Sequence, residues 1–292
     1  MYKIAILGCE NSHAGAFLRI IKEEQINDVE VVGVYSYDPA ASETLNKQYG
    51  VYVAKDFDEF VGKIDGLVIT ARHGDNHYKY AKPYLDSKIP IFIDKPITIS
   101  EKEAVEFMKV LKDNAIPACG GSMCIYSDHV LELKETIAKG EYGKVIGGSV
   151  RAPLDPDSEH GGFYFYAQHM VQTACELFGY FPRSVQAFKC ENTITVMIRY
   201  ESYDITGIYL FNAGVWNYSQ SIVFEKGIVS GMDKLTNAAS REFHSFYDVL
   251  RGEQPHHSYD ELFSSVFIMN AIERSMKTGK EERILYAEDI EL

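Results

Sequence analysis

The sequence has no apolar run approaching the ~18 residues of a membrane span. Its opening Met1-Tyr2-Lys3 passes straight into a strand-like segment, with no extended apolar leader or small-residue cleavage site. A protein that stays in the cytoplasm is therefore expected. Basic clusters are also missing: 42 acidic residues stand against 29 basic ones, and the net charge of -13 repels phosphate backbones and anionic membranes. That disfavours nucleic acid and lipid as partners and leaves a small molecule. Cysteine is sparse, and Cys9, Cys119, Cys124, Cys175 and Cys190 are odd in number and irregularly spaced, which fits reduced core thiols better than a disulfide framework or a zinc site. There is no P-loop, nucleophile elbow, internal repeat or low-complexity linker.

What is present is an ordinary globular composition, 46% hydrophobic and 24% charged, in a chain of 292 residues, longer than one core usually fills. Two domains are expected. Residues 1–118 alternate short apolar runs with amphipathic stretches, the pattern of a parallel α/β sheet. Strands are expected at Lys3–Leu7, Val29–Tyr35, Asp65–Thr70 and Pro90–Ile93. Helices are expected at Ser12–Glu24, Pro39–Tyr49, Asn76–Ser87 and Ser100–Asn114, with a further short helix ahead of Asp65. The near-continuous apolar strands belong in a doubly wound, Rossmann-type sheet buried on both faces. The rhythm changes after Pro117, where Gly120-Gly121 reads as a break. Residues 119–292 then read as an α+β domain with a mostly antiparallel sheet from Ser184–Cys190, Thr193–Tyr200, Asp204–Phe211 and Ser219–Phe224. Helices at Phe163–Phe178, Ser240–Arg251 and Tyr259–Thr278 are expected to cover one face of it. Ile194, Val196, Ile198, Ile208, Leu210, Ile222 and Phe224 alternate along these strands and are expected to form the other face, paired with a second copy as a homodimer or a dimer of dimers.

Three segments could carry chemistry. The first turn, Gly8-Cys9-Glu10-Asn11-Ser12-His13, sits where a dinucleotide fold sets a pyrophosphate on a helix N-terminus, yet of G-x-G-x-x-G only Gly8 remains, with Glu10 and His13 at the other two positions. As a plain strand-helix turn, it would have Ser12 as N-cap. The ribose-reading position falls at the end of the second strand, where Ser36 occupies the tip and Asp38 follows, so NAD and NADP are not distinguished. The third segment, Ile91-Phe92-Ile93-Asp94-Lys95-Pro96, puts a lysine at the carboxyl end of a parallel strand, where ligands bind and an ammonium can polarise or protonate oxygen. The histidines His13, His73, His77, His160 and His169 follow no ligand spacing. His73-Gly74-Asp75-Asn76-His77 offers a metal set as the lesser alternative, and no metal is expected.

The strand-[Glu/Asp]-Lys-Pro element resembles the hallmark of the glucose-fructose oxidoreductase / inositol dehydrogenase family (Gfo/Idh/MocA). Asp65–His77, the stretch Ile137–Val145 and the run Ala271–Lys280, which is similar to the family's last long helix and the turn after it, line up with the family in order. The resemblance spans about residues 3 to 282. It implies an NAD(P)-dependent oxidoreductase acting on a sugar-like or polyol substrate, with residues 1–118 holding the dinucleotide and 119–292 serving substrate binding and oligomerisation. It implies Lys95 and His169 as catalytic residues. Gly8, Asn11, Ser12, His13, Ser36, Thr70, His77, Asp94 and Lys95 are expected to line the NAD or NADP site. In Gly161-Gly162-Phe163-Tyr164-Phe165-Tyr166-Ala167-Gln168-His169, Phe165 replaces the family's aspartate one turn before the histidine and Gln172 replaces a following acid. A new partner for His169 is expected among His160, Glu159, Tyr164 and Tyr166. These departures keep a non-catalytic ligand-binding or regulatory relative open as the alternative, with a lyase or hydrolase as a third reading.

Overall fold

A computed structural model describes residues 1–211 and 218–292. In chain order the elements are β1 (Tyr2–Leu7), α1 (Ser12–Glu23), β2 (Val29–Tyr35), α2 (Pro39–Tyr49), β3 (Gly66–Ile69), α3 (Asp75–Ala81), β4 (Ile91–Asp94), α4 (Glu101–Asn114), β5 (Ala118–Gly121), α5 (Asp128–Lys139), β6 (Val145–Pro153), α6 (Tyr164–Phe178), β7 (Ser184–Lys189), β8 (Thr193–Arg199), β9 (Asp204–Leu210), β10 (Ser219–Phe224), β11 (Gly227–Met232), α7 (Ala238–Leu250), α8 (Tyr259–Thr278) and β12 (Glu282–Arg283). The chain divides into two compact units. The first holds Met1–Thr98, Glu103–Gly121 and Ala239–Leu262; the second holds Ile99–Lys102, Ser122–Ala238 and Phe263–Leu292.

The first unit is an all-parallel sheet in the order β2-β1-β3-β4-β5. Every residue of β3, β4 and β5 is buried, which is why their sequences lack polar alternation. Outside β2, Val53 makes a single parallel bridge with Val34, through Val34 N to Tyr52 O at 2.8 Å and Ala54 N to Val34 O at 2.9 Å. Counting that residue as a vestigial strand gives the six-strand order of dinucleotide-binding sheets, with the switch point beside β1. The helix expected ahead of Asp65 is replaced by this bridge and a run of turns. Helix α1 is capped by Asn11, whose side chain accepts from His13 N, so the N-cap is one residue earlier than Ser12.

The observed units differ from a contiguous division after residue 118. The Gly120-Gly121 pair lies inside β5, where a side chain at Gly120 (φ +127°) would put its Cβ 2.1 Å from Ile93 O. The glycines here admit a close backbone approach within β5 and do not mark a break. Helix α7 joins the first unit: Phe243, Phe246, Val249 and Leu250 are buried with Ile4, Phe17 and Phe92. Gly66 makes room for it, since a Cβ there would meet Leu250 Cδ1 at 2.6 Å. An amphipathic period shows that a helix face is buried, but not against which sheet.

The second unit is a seven-stranded sheet in the order β11-β10-β6-β9-β8-β7-β12, antiparallel except for the parallel β6–β9 pair. Helix α6 lies on one face, where Gly207 and Gly148 admit Met170 and Phe178. Ile194, Val196, Ile198, Ile222 and Phe224 are buried on that face together with Ile205 and Tyr209. Of the seven residues expected on the opposite face only Ile208 and Leu210 lie there, since alternation in β9 places them out of phase with Tyr209. The remainder of that face mixes Thr195, Met197, Thr206, Ser221 and Val223, with Ile228 and Met232 exposed on β11. Among the described residues, no helix is long and apolar enough to cross a membrane. Cys9, Cys119, Cys124 and Cys175 are buried, whereas Cys190 is exposed, and none forms a disulfide.

Candidate functional site

In the first unit the turn after β1 is shaped by Gly8 at φ +82°, where a Cβ would collide with the Ala71 backbone at 2.3 Å. Gly8 is thus fixed by packing against the segment after β3. Its N–H donates to Tyr35 O, and its carbonyl accepts from the Thr70 hydroxyl at 3.1 Å. Glu10, at the second glycine position, is half-buried. Its Oε2 accepts from the Ser36 hydroxyl at 2.7 Å and its Oε1 from Arg72 N–H at 3.1 Å. The carboxylate therefore bridges the carboxyl ends of β2 and β3, directly over the switch point where ligands bind in such sheets.

His13, at the third glycine position, turns inward and lies with Nδ1 2.9 Å from Asp94 Oδ2. Asp94 ends β4 and is fully buried. Its Oδ1 accepts from Lys95 N–H at 2.7 Å, and its Oδ2 accepts from Asn11 Nδ2 at 3.0 Å. Burial opposes a charge on His13, but the Asp94 and Glu242 carboxylates outweigh it and raise the imidazole to about 9. Burial likewise opposes the Asp94 carboxylate, yet His13 beside it holds it below its ordinary range. Glu242, reaching in from α7, has its oxygen 3.6 Å from His13 Nδ1, and burial pushes it up to about 8. His77 is fully buried with Nε2 2.8 Å from Ala71 O, the geometry of an Nε2–H donor, and burial lowers its basicity. Lys95 is 5% exposed at the tip of β4. Of the residues expected at a dinucleotide, Asn11, His13, Asp94 and Lys95 form one group and Gly8, Ser36 and Thr70 another around Glu10 and the β1 turn. Ser12 is exposed, its hydroxyl 3.4 Å from Asn11 Oδ1, and His73 lies 3.7 Å from the Asp75 carboxylate.

In the second unit His169 is buried on α6. Its Nδ1 lies 2.6 Å from the Ser122 hydroxyl and 3.4 Å from Cys124 Sγ. Ser122 is fixed in turn by its N–H to Gln172 Oε1 at 2.7 Å and by Cys124 N–H to its hydroxyl. Tyr164 hydrogen-bonds to Asn270 and Glu273, the His160 and Phe165 rings are tilted with centroids 5.0 Å apart, Glu159 sits 3.6 Å from His160, and the Tyr166 ring lies 5.6 Å from that of His169. Sequence reasoning did not single out Ser122, Cys124 or Glu242. Ser122 follows the glycine pair directly, which is a usable signal; Glu242 comes from a distant helix and gives none.

The donor set suits a dinucleotide at its nucleoside end, where the Glu10 carboxylate and Ser36 can accept from ribose hydroxyls, and at the N-terminus of α1. A model of an oxidoreductase family with an NAD-binding Rossmann fold, Gfo/Idh/MocA, matches residues 2–116. The chain is 28% identical over 153 residues to glucose-6-phosphate 3-dehydrogenase of Bacillus subtilis strain 168, covering 50% of this chain and 41% of that protein. It is 25% identical over 140 residues to the uncharacterized oxidoreductase YhhX of Escherichia coli K12, covering 44% of this chain and 40% of that one. The match thus spans about two-fifths of these relatives' length. Scyllo-inositol dehydrogenase of Lactobacillus casei, solved with NAD(H) and scyllo-inositol, superposes with a TM-score of 0.84 at 16% identity, covering 97% of this chain and 99% of that one, a likeness of fold.

Proposed function

We propose that the chain, whose residues 2–116 match the NAD-binding model of the Gfo/Idh/MocA oxidoreductase family, is a nicotinamide-dependent oxidoreductase of a cyclic polyol or sugar. The observation that carries this reading is the placement of Asp94-Lys95-Pro96 at the carboxyl end of β4, in a sheet of dinucleotide-binding order. Lys95 offers a cation to the reacting oxygen, and His169 takes up or returns the hydroxyl proton. A bound nicotinamide would accept or return the hydride. The named relatives, a glucose-6-phosphate 3-dehydrogenase and a scyllo-inositol dehydrogenase, support the substrate class.

The same reading extends to cofactor choice. Glu10 holds a negative charge at Ser36, the ribose-reading position, so NAD is preferred and a 2′-phosphate is repelled. The half-apolar open face of the second unit's sheet supports a homo-oligomer, which sedimentation at micromolar concentration checks. Calorimetry with NAD and NADP, followed by turnover on a polyol and sugar panel, tests the whole reading. Silence from both cofactors overturns it, whereas cofactor binding without turnover on any substrate favours the non-catalytic relative.

A further inference from the structure

His13, Asp94 and Glu242 come from α1, β4 and α7 of the first unit and meet in its interior. Glu242 is fully buried, and neither of its carboxylate oxygens finds a hydrogen-bond donor. His13 Nδ1 is in the same position: it stands 2.9 Å from Asp94 Oδ2 without the alignment of a hydrogen bond. Three buried polar atoms at one place therefore lack hydrogen-bond partners, which calls for an explanation, a bound ion being one. The three ligand atoms lie within 4.8 Å of one another. A cation held by bonds of about 2.1 Å sets its ligands about 3.0 Å apart in an octahedron and about 3.4 Å apart in a tetrahedron. The 2.9 and 3.6 Å separations from His13 Nδ1 to the two carboxylates lie close to that span.

We propose that His13 Nδ1, Asp94 and Glu242 bind one divalent first-row cation of the zinc class. An imidazole and two carboxylates suit that class, and the pair of negative charges balances a doubly charged ion. Lys95 is the competing cation nearby, but it acts on both carboxylates more weakly than His13 does. The cation ties the N-terminus of α1 and the tip of β4 to α7, and it places a Lewis acid behind Asp94-Lys95. The site does not depend on the dehydrogenase reading.

The test uses the full-length protein, stripped with a chelator and titrated with Co2+. One equivalent should bind with visible d–d absorption, be displaced by Zn2+, and raise the melting temperature. Glu242→Gln keeps the shape of the side chain and removes its charge. It should weaken binding by roughly 100-fold and abolish the thermal shift, while the metal-free variant melts no lower than the metal-free parent. His13→Asn should weaken binding comparably. Absence of stoichiometric Co2+ binding, or binding of equal strength in Glu242→Gln and the parent, overturns the proposal.

Discussion

The Ser122 hydroxyl stands 2.6 Å from His169 Nδ1, at a histidine whose helix carries Phe165 where an aspartate is expected. A hydroxyl can orient an imidazole, but it brings no negative charge to stabilise the imidazolium. Ser122 itself is held by its N–H to Gln172 and by the Cys124 N–H to its hydroxyl.

This predicts a graded series. His169→Ala should lower turnover by roughly 100-fold or more, as expected for losing a general acid/base. Ser122→Ala should cost less, roughly 10-fold, mostly in kcat, because the imidazole remains but is poorly aimed. Lys95→Ala should abolish turnover. Steady-state kinetics on whichever polyol or sugar is turned over would measure all three, and indifference to Lys95 and His169 would place the chemistry elsewhere.

Much of the fold could be read from the sequence because parallel strands announce themselves as short, fully apolar runs between amphipathic helices. β2, α2 and β10 lie where periodicity puts them, with Asp38 capping α2 and Gly50 ending it at φ +71°. Three features escaped for one reason: contacts between residues far apart in sequence leave no local period. Gly120-Gly121 reads as a break until Ile93 is found against it. Helix α7 looks like any amphipathic helix until Phe246 is found beside Phe92, their ring centroids 6.1 Å apart. In the candidate site Lys95 and His169 are proposed from motif position, whereas the hydroxyl beside His169 Nδ1 belongs to Ser122, just past β5 and 47 residues away in sequence.

The position of α7 has a measurable consequence for stability. Phe246 is fully buried and packs in the core of the first unit with Phe17, Phe92 and Phe243. Phe246→Ala should therefore destabilise that unit by about 3–5 kcal/mol, the usual cost of emptying a buried aromatic site. Chemical denaturation followed by a probe in the first unit would show this, and a loss under 1 kcal/mol would mean that the helix is only loosely attached.

His77 sets a pH dependence whose sign follows from burial. Burial lowers its basicity from an ordinary value near 6.5, so below that pH the unfolded chain takes up a proton that the folded chain refuses. Stability from this group is complete above about 6.5 and is lost as pH falls toward the folded value, by up to about 1.4 kcal/mol per unit. Urea midpoints at pH 7.5 and 5.5 should therefore differ more in the parent than in His77→Gln. Comparing the two removes the contribution of the other titrating groups. Equal differences in both would show that His77 takes up its proton without opening the fold.

Glu10 gives the sharpest test of cofactor choice, because one side chain links the turn after β1, the tip of β2 and the segment after β3. Its carboxylate accepts from Ser36, and under the proposed function this acid from the glycine turn would serve the position that usually carries the ribose-reading acid on β2. Glu10→Gln keeps both hydrogen-bonded contacts within reach and removes the charge. Affinity for NADP should then rise relative to NAD by about tenfold or more, a change of about 1.4 kcal/mol that lies within what one nearby charge exerts in a partly screened crevice. Calorimetry on parent and variant with both dinucleotides reads the ratio directly. A ratio unchanged by the substitution would remove Glu10 from cofactor selection while leaving the oxidoreductase reading intact, whereas a parent that binds neither dinucleotide would overturn that reading.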